Sequence, residues 1–261
     1  MSIARKTLFA VLGIAALAFC AQSSRLPAEA SPVTVAQAST PPAMLSGTPE
    51  PTEEPTTPPS DAIVAAAAVG PEWGAFAKIV ETADDFISTI TSKENVAGKE
   101  SSGTIKLTSR KPTYARCEIV AGEGIGGVAV WRGGNKVQAH EGGEHKDIIV
   151  VLPQHNKHVT DLLGFGCGDT TPDRIVGYAT HNGKLTEAAG PTINGEATDD
   201  VTWIPNAGDM VKLTKTDFFI SKVSHLLIAS KSYVGDVLVA DAQWAIQVNP
   251  GVPFSTFDIG S

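Results

Sequence analysis

Histidines and carboxylates crowd one stretch near the middle of the chain. His140 and His145 lie within eight consecutive residues that also hold three carboxylates, and His158 follows a short distance along the chain. Neutral imidazole nitrogens and carboxylate oxygens are good ligands for Zn²⁺ and other divalent transition metals. The stretch therefore suggests a metal site built from His140, His145 and His158.

The spacing of these residues restricts such a site to a loop. The helical zinc template His-Glu-x-x-His places two imidazoles one turn apart, but the fourth residue after His140 is Glu144. Gly142 and Gly143 further disfavour a helix there. A solvated turn between two strands is the competing interpretation. If these histidines bind a metal, the protein is a metal-dependent hydrolase or metal-binding enzyme with a divalent cation as cofactor. If they lie in a solvated turn, no cofactor is needed.

Three tryptophans offer a second kind of chemistry. Trp131, Trp203 and Trp244 fall in segments with the alternating pattern of β-strands or next to such segments. An indole combines a large apolar ring with a polar N–H, which suits the binding of sugar rings and of protein surfaces. Packing in the protein's own core is the alternative for each of them. A ligand-binding face formed by these tryptophans is a second site hypothesis.

The elements that must position these residues are mainly strands. From Gly103 onward apolar residues alternate with polar ones, as in Ile105 and Leu107 or in Ala115, Cys117 and Ile119. Turn signals such as Asn182-Gly183 separate the segments. Eight to eleven short strands predict an all-β domain, a sandwich or a barrel-like fold. Further candidate strands are 127–131, 147–152, 174–180, 201–204, 210–213, 217–223, 225–229 and 243–248.

One amphipathic helix precedes the strands. The apolar residues Trp73, Phe76, Val80, Ala83, Ile87 and Ile90 recur at spacings of three and four. Pro71 is suited to a first helical turn, where no N–H partner is required. The pattern predicts a helix over 71–93 that packs on the sheet and leads a β-rich globular domain over 71–261.

The N-terminal part has the composition of an export signal followed by a spacer. Arg5 and Lys6 precede an uncharged run, and Ala28-Glu29-Ala30 presents small residues at a cleavage position. This pattern predicts a signal peptide over 1–30 and a secreted or surface-displayed protein. Residues 31–60 hold eight prolines and six threonines without an aromatic residue. Such a segment cannot bury enough apolar area to fold, so we predict a disordered linker.

The cysteine count adds one covalent constraint. Of three cysteines, Cys20 lies in the predicted signal peptide, which leaves Cys117 and Cys167 in the exported chain. Two cysteines in an oxidising compartment usually form one disulfide. Lipidation of Cys20 is an alternative fate of the N-terminus, although Phe19 is bulkier than the small residue that a lipobox requires. We predict a Cys117–Cys167 bridge.

Charge excludes one class of partner. The chain carries 20 basic and 28 acidic residues, a net charge of −8, and lacks a cluster of Lys and Arg. Such a surface repels phosphate backbones, so we expect no nucleic-acid partner. No later segment is apolar enough for a membrane span.

The function that we predict is a non-enzymatic binding module for an extracellular carbohydrate or protein. The metal enzyme and a structural component of an envelope assembly are the alternatives.

Export can be tested on the secreted protein. Cleavage after Ala30 should give a mature chain that begins at Ser31, and cleavage after Cys20 one that begins at Ala21. N-terminal sequencing of the exported fraction checks this expectation. An exported protein that still begins at Met1 would contradict it.

Overall fold

The computed structural model describes residues 61–206 and 213–259, so the predicted signal peptide (1–30) and linker (31–60) lie outside the described residues. Short 3₁₀ turns occur at Gly143–His145 and Phe254–Phe257. The longer elements in chain order are α1 (Asp61–Ala67), α2 (Pro71–Thr82), β1 (Asp85–Val96), β2 (Lys99–Arg110), β3 (Tyr114–Gly122), β4 (Val128–Trp131), β5 (Lys136–His140), β6 (Val150–Pro153), α3 (Pro172–His181), β7 (Gly183–Ile193), β8 (Glu196–Pro205), β9 (Lys215–Ser221), β10 (Leu227–Val234) and β11 (Val237–Val248).

The strands form one antiparallel sheet. Their order is β6-β5-β4-β3-β2-β1-β11-β10-β9-β8-β7, so the first and last strands of the sequence pair at the centre. Every other pair of adjacent strands is also consecutive in sequence, whereas β6 and β7, which the segment with α3 connects, lie at the two opposite edges. The prediction of an all-β fold with a packed helix is confirmed. Strand count alone does not distinguish a sandwich or barrel from the single continuous sheet observed.

The leading helix is shorter than the predicted range 71–93. Helix α2 ends at Thr82, and Asp85–Val96 is the twelve-residue strand β1. Ile87, Thr89 and Thr91 belong to a run of β-branched side chains, which fit a pleated strand better than a helix. The spacing was ambiguous because the apolar residues of β1 continue the three-and-four spacing of α2 by coincidence. Pairing with both β2 and β11 settles the conformation of this segment.

The start of α2 is held by a distant carboxylate. The Glu187 side chain on β7 accepts hydrogen bonds from the backbone N–H groups of Glu72 (3.1 Å) and Trp73 (2.9 Å). A negative charge at this position also stabilises the positive end of the helix dipole. A Cβ at position 70 would lie 2.3 Å from the Glu187 carboxyl carbon, so a residue larger than Gly70 would displace this side chain. This contact fixes α2 to the sheet edge formed by β7.

A helix replaces one of the predicted strands. The segment 174–180 lies in α3, not in a strand. Pro172 occupies the first turn and Asp173 adds a negative charge there, both typical of a helix start. The buried Val176 and Ala179 lie on the same helical face. Ile175-Val176 gave the local strand signal, and packing of this face against the sheet outweighs it.

Buried side chains concentrate on one face of the sheet, which we call the inner face. One cluster covers β1–β5 and includes Leu107 and Trp131, together with Val159 from the segment before α3. A second cluster joins the three helices to β8–β10 and includes Trp73, Phe76 and Ile220. Trp244 on β11 packs against both clusters. The inner face is therefore covered from two sides by two different parts of the chain.

The predicted disulfide is confirmed. Cys117 on the inner face of β3 is bonded to Cys167, with a Cα–Cα distance of 5.7 Å and a separation of fifty positions in sequence. Cys167 belongs to residues 154–171, which connect β6 to α3 and which we call the cover segment. The bond fastens this segment to the sheet and so fixes where α3 begins.

Removal of the disulfide should destabilise the protein strongly. Closing a loop of fifty residues lowers the entropy of the unfolded chain, and loss of such a bond typically costs about 2–5 kcal/mol. We expect Cys117→Ala/Cys167→Ala to show that decrease in the free energy of unfolding in urea. The oxidised wild type should contain no titratable thiol. Two free thiols in the folded, oxidised wild type would contradict the assignment.

Candidate functional site

A cavity lies where the two clusters of the inner face meet. Its volume is about 910 Å³, and it is partly open to solvent. The inner faces of β1, β2 and β8–β11 form one wall, and α3 with the cover segment forms the other. This volume lies within the range of about 300–1,000 Å³ that is usual for small-molecule sites. The cavity is the candidate functional site.

The floor of the cavity is made of small side chains. On β10 and β11 the cross-strand pairs Ser230–Ala242 and Ser232–Ala240 all line it. Larger apolar side chains stand around this floor, and so the space above it stays unfilled. The apolar members of the wall are Ile90, Ile105, Leu163, Phe165, Ile175, Trp203, Leu213, Phe218 and Trp244.

Several polar groups of the wall bond to each other. The Trp244 Nε1–H donates to Ser230 Oγ at 3.1 Å, and the hydroxyls of Ser232 and Thr216 are 3.1 Å apart. These groups are therefore satisfied at least in part within the wall and have less need of a polar ligand. The result is a predominantly apolar lining over the middle of the cavity.

The predicted tryptophan face is divided by the structure. Trp203 and Trp244 line the cavity, whereas Trp131 is buried beside it with Nε1 donating to the Gly134 carbonyl at 2.9 Å. Gly168 of the cover segment lies against the Trp131 ring, because a Cβ there would come within 2.7 Å of it. Ligand contact at Trp203 and Trp244 stays a prediction, and the structure gives Trp131 a packing contact under the cover segment.

The three histidines of the metal hypothesis occupy different environments. His140 is buried at the end of β5, with Nδ1 2.7 Å from the Glu141 carbonyl oxygen. His145 is exposed in a 3₁₀ turn, and His158 is half-buried in the cover segment. Within residues 61–206 and 213–259 no three His, Cys, Asp or Glu side chains are grouped to hold a metal ion. A metal site at these histidines stays a prediction without a described cluster to support it.

Two carboxyl groups form the polar end of the cavity. Glu94 extends from the inner face of β1, and its Oε2 accepts the Leu162 N–H at 3.1 Å. The next carboxyl group, on Asp161, accepts the N–H groups of Leu163 (3.0 Å) and Phe165 (2.8 Å). Both residues line the cavity. They therefore join β1 to the cover segment and place two acids at one site.

Burial shifts the titration of both acids upward. Burial raises the pKa of Glu94 from 4.5 to about 7, although the Leu162 N–H acts in the opposite direction. The pKa of Asp161 is raised well above 3.8, first by burial and then by the neighbouring Glu94 carboxyl. Poor solvation and mutual repulsion both favour the protonated form of a carboxyl group. With its pKa at about 7, the Glu94 carboxyl keeps a proton over part of the neutral range.

Sequence patterns missed this pair for an identifiable reason. Ile90, Ser92 and Glu94 are two residues apart and so lie on one face of a strand. The prediction of a helix over 71–93 hid this alternation. Recognised as a strand, the segment would have placed a carboxylate on a buried face, which is uncommon enough to indicate a site. No local pattern placed Asp161 beside it, because that contact joins residues 67 positions apart.

Comparison with known proteins gives similarities of backbone fold. No family model and no curated protein matches the chain. A DUF1329 family protein from Desulfovibrio piger is 13% identical, with a TM-score of 0.44 over 76% of this chain and 95% of that chain. Mycobacterium tuberculosis lipoprotein LppX is 12% identical, with a TM-score of 0.42 over 74% of this chain and 99% of that one. A LolA superfamily protein from Nitrosomonas europaea is 8% identical, with a TM-score of 0.35 over 76% and 96% of the two chains. None of these assigns a ligand or a residue role to this chain.

A helix must be long and apolar to cross a bilayer. In 61–206 and 213–259 no helix has the length and apolar character to cross a bilayer. The longest of the three, α2, has twelve residues.

The carboxyl pair should make stability depend on pH in a defined direction. The folded state holds the Glu94 proton more tightly than the unfolded chain does, so stability falls as the pH rises from 4.5 toward 7. Glu94→Gln removes this titration but keeps an oxygen for the Leu162 N–H. We expect the variant to be about 1–3 kcal/mol more stable than wild type above about pH 8, and nearly equal below about pH 4.

Urea unfolding at a series of pH values measures this difference. Glu118→Gln is the matched control, since among the described residues Glu118 forms an ion pair with Arg116 alone, at 4.0 Å on the outer face of β3. Its stability relative to wild type should change little between the two pH limits. A Glu94→Gln difference that is independent of pH would contradict the raised pKa.

Proposed function

We propose that the protein is an exported, non-enzymatic binding protein that holds an elongated apolar ligand, such as an alkyl or acyl chain, in the cavity above β10 and β11. The observation that carries this proposal is a cavity of about 910 Å³ whose central lining is apolar. The N-terminal signal pattern supports export.

The physical driving force is the removal of alkyl surface from water. Each methylene that enters an apolar site contributes about 0.8 kcal/mol before the entropy of immobilising the chain is subtracted. A cavity lined by Ile, Leu, Phe and Trp side chains offers water few hydrogen bonds, so the displacement of water from it costs little. An unbranched chain of about ten carbons should therefore bind measurably.

The lining favours an alkyl chain over a carbohydrate. A sugar presents hydroxyl groups along its whole edge and requires several polar partners around the ring. In this cavity the Trp244 indole N–H and the Ser232 hydroxyl already bond within the wall. Among the buried side-chain polar atoms of the wall that the structure describes, only Ser92 Oγ and Trp203 Nε1 lack a hydrogen-bond partner, and these are fewer than a sugar ring requires. The tryptophan rings then serve as apolar wall and not as stacking platforms for sugar rings.

Filling the floor of the cavity should abolish ligand binding. Ala240 is half-buried on the inner face of β11 and lines the cavity, so Ala240→Trp places an indole in the ligand's space. We expect this variant to bind decanol at least about tenfold more weakly than wild type. Isothermal titration calorimetry with decanol at a fixed pH provides the measurement.

The same strand supplies a matched control. Ala245 is exposed and pairs with Thr89 on the opposite, outer face of the sheet. Ala245→Trp adds the same side chain to β11 outside the cavity, so decanol affinity should stay within about threefold of wild type. If wild type does not bind decanol, or if both variants lose binding equally, the cavity is not the binding site.

A further inference from the structure

The cavity is asymmetric along β1, and this asymmetry bears on the identity of the ligand. Ile90, Ser92 and Glu94 follow one another on the inner face of this strand, and all three line the cavity. The wall thus changes from apolar to hydroxyl to carboxyl over five residues. Asp161 of the cover segment lies on the wall at the carboxyl end. A ligand that fills the cavity along this direction has an apolar body and a polar end.

We propose that the ligand is a cationic amphiphile, an alkyl chain with an amine head, and that Ser92, Glu94 and Asp161 bind its ammonium group. This inference rests on the proposed function, because it identifies the chemical class of the ligand that the cavity binds.

The first observation that supports this subsite is an unpartnered hydroxyl. Ser92 is 5% exposed, and its Oγ has no hydrogen-bond partner among the described residues. Buried polar atoms are nearly always paired, and an orphaned one costs about 1–3 kcal/mol. Because Ser92 lines the cavity, a ligand with an N–H donor can supply the missing partner. The hydroxyl thus indicates a polar ligand group at this end of the cavity.

The second observation is that the two acids have no cation of their own. Neither Glu94 nor Asp161 forms a salt bridge within 61–206 and 213–259, and only backbone N–H groups oppose the rise in their pKa values. Three backbone donors orient the carboxyl oxygens without neutralising them. The two carboxyl groups are therefore already oriented to bind one positive charge, which the described residues do not supply.

The basic groups on the cavity wall are engaged elsewhere. Arg174 lies over the Trp131 ring, with its guanidinium carbon 5.1 Å from the ring centroid. The imidazole of His155 is 3.0 Å from an Asp169 carboxylate oxygen, and that of His181 is 2.7 Å from the Gly177 carbonyl oxygen. These three are the basic residues among the described residues that line the cavity. A cation on the acid pair must then come from the ligand.

An ammonium group satisfies this site better than other heads do. Its three N–H donors can reach both carboxyl groups and the Ser92 hydroxyl, and its charge offsets their mutual repulsion. A hydroxyl head donates one hydrogen bond and leaves the charge unbalanced. A carboxylate head would be repelled by the acids. The expected order of affinity at neutral pH is amine, alcohol, carboxylate.

Binding of the amine should release a proton. The ammonium group enters with its own proton and favours ionised carboxyls, so the proton on the Glu94 carboxyl passes to solvent. Amine affinity should therefore rise with pH between about 5 and 8, where Glu94 deprotonates but an alkylamine stays charged. Alcohol affinity should change little over the same range.

Calorimetry with decylamine, decanol and decanoate tests the inference on the intact mature protein. We expect decylamine to bind about tenfold to a hundredfold more tightly than decanol near pH 7, since charge-assisted hydrogen bonds exceed neutral ones. Titrations in buffers of different ionisation enthalpy should reveal a proton released with decylamine alone. Glu94→Gln should reduce the ratio of amine to alcohol affinity to near one, while Glu118→Gln retains the wild-type ratio.

Two outcomes separate this inference from the proposed function. If decanol binds but decylamine binds no more tightly, the cationic head is wrong and the apolar cavity stands. If no chain binds at all, both proposals are overturned. Ser92→Ala is the second variant, should Glu94→Gln fail to fold. We expect it to lower the amine-to-alcohol ratio about threefold to tenfold, and an unchanged ratio would remove Ser92 from the subsite.

Discussion

The disulfide between Cys117 and Cys167 is the constraint on which the rest of this structure depends. It ties the cover segment to β3 at one end, while Glu187 ties α2 to β7 near the other end of the sheet. The inner face is therefore covered by two groups of elements that are anchored separately. Because α3 follows directly from the tethered segment, the bond also restrains where this helix begins. The cavity is the space that this arrangement leaves.

An unfilled cavity costs stability, so its floor requires an explanation. The removal of a large side chain from a core destabilises a protein by several kcal/mol, roughly in proportion to the void that remains. Here the centre of the inner face carries Ser230, Ser232, Ala240 and Ala242, where larger apolar residues would close the space. The burial of the Glu94 carboxyl and of the unpartnered Ser92 hydroxyl adds a further cost at one end. A ligand that fills the cavity and bonds to these groups offsets both costs, and this links the packing of the sheet to the function that we propose.

The sequence predicted the class of fold more fully than it predicted the site. Alternation of apolar residues identified most strands, and the cysteine count identified the bridge, because both signals are local or purely combinatorial. The apolar pattern extended the leading helix beyond its end at Thr82 into β1, and it predicted a strand over 174–180 where α3 lies. Short runs of β-branched residues fit the helical and the strand period alike, so packing decides between them. Trp203 and Trp244 were identified as candidates by residue type. The cavity itself and the Glu94–Asp161 pair depend on strand order and on a loop that returns to β1, which no local pattern encodes.

The most direct test of the account is to locate a bound chain by NMR. Protonated decanol bound to deuterated protein with protonated tryptophan should give intermolecular NOEs to the indoles of Trp203 and Trp244, which line the cavity. It should give none to Trp73, a residue of α2 that is fully buried in the second cluster, or to Trp131, which does not line the cavity. NOEs to the two lining indoles would place the chain between α3 and the sheet. Bound decanol without NOEs to either Trp203 or Trp244 would contradict the account.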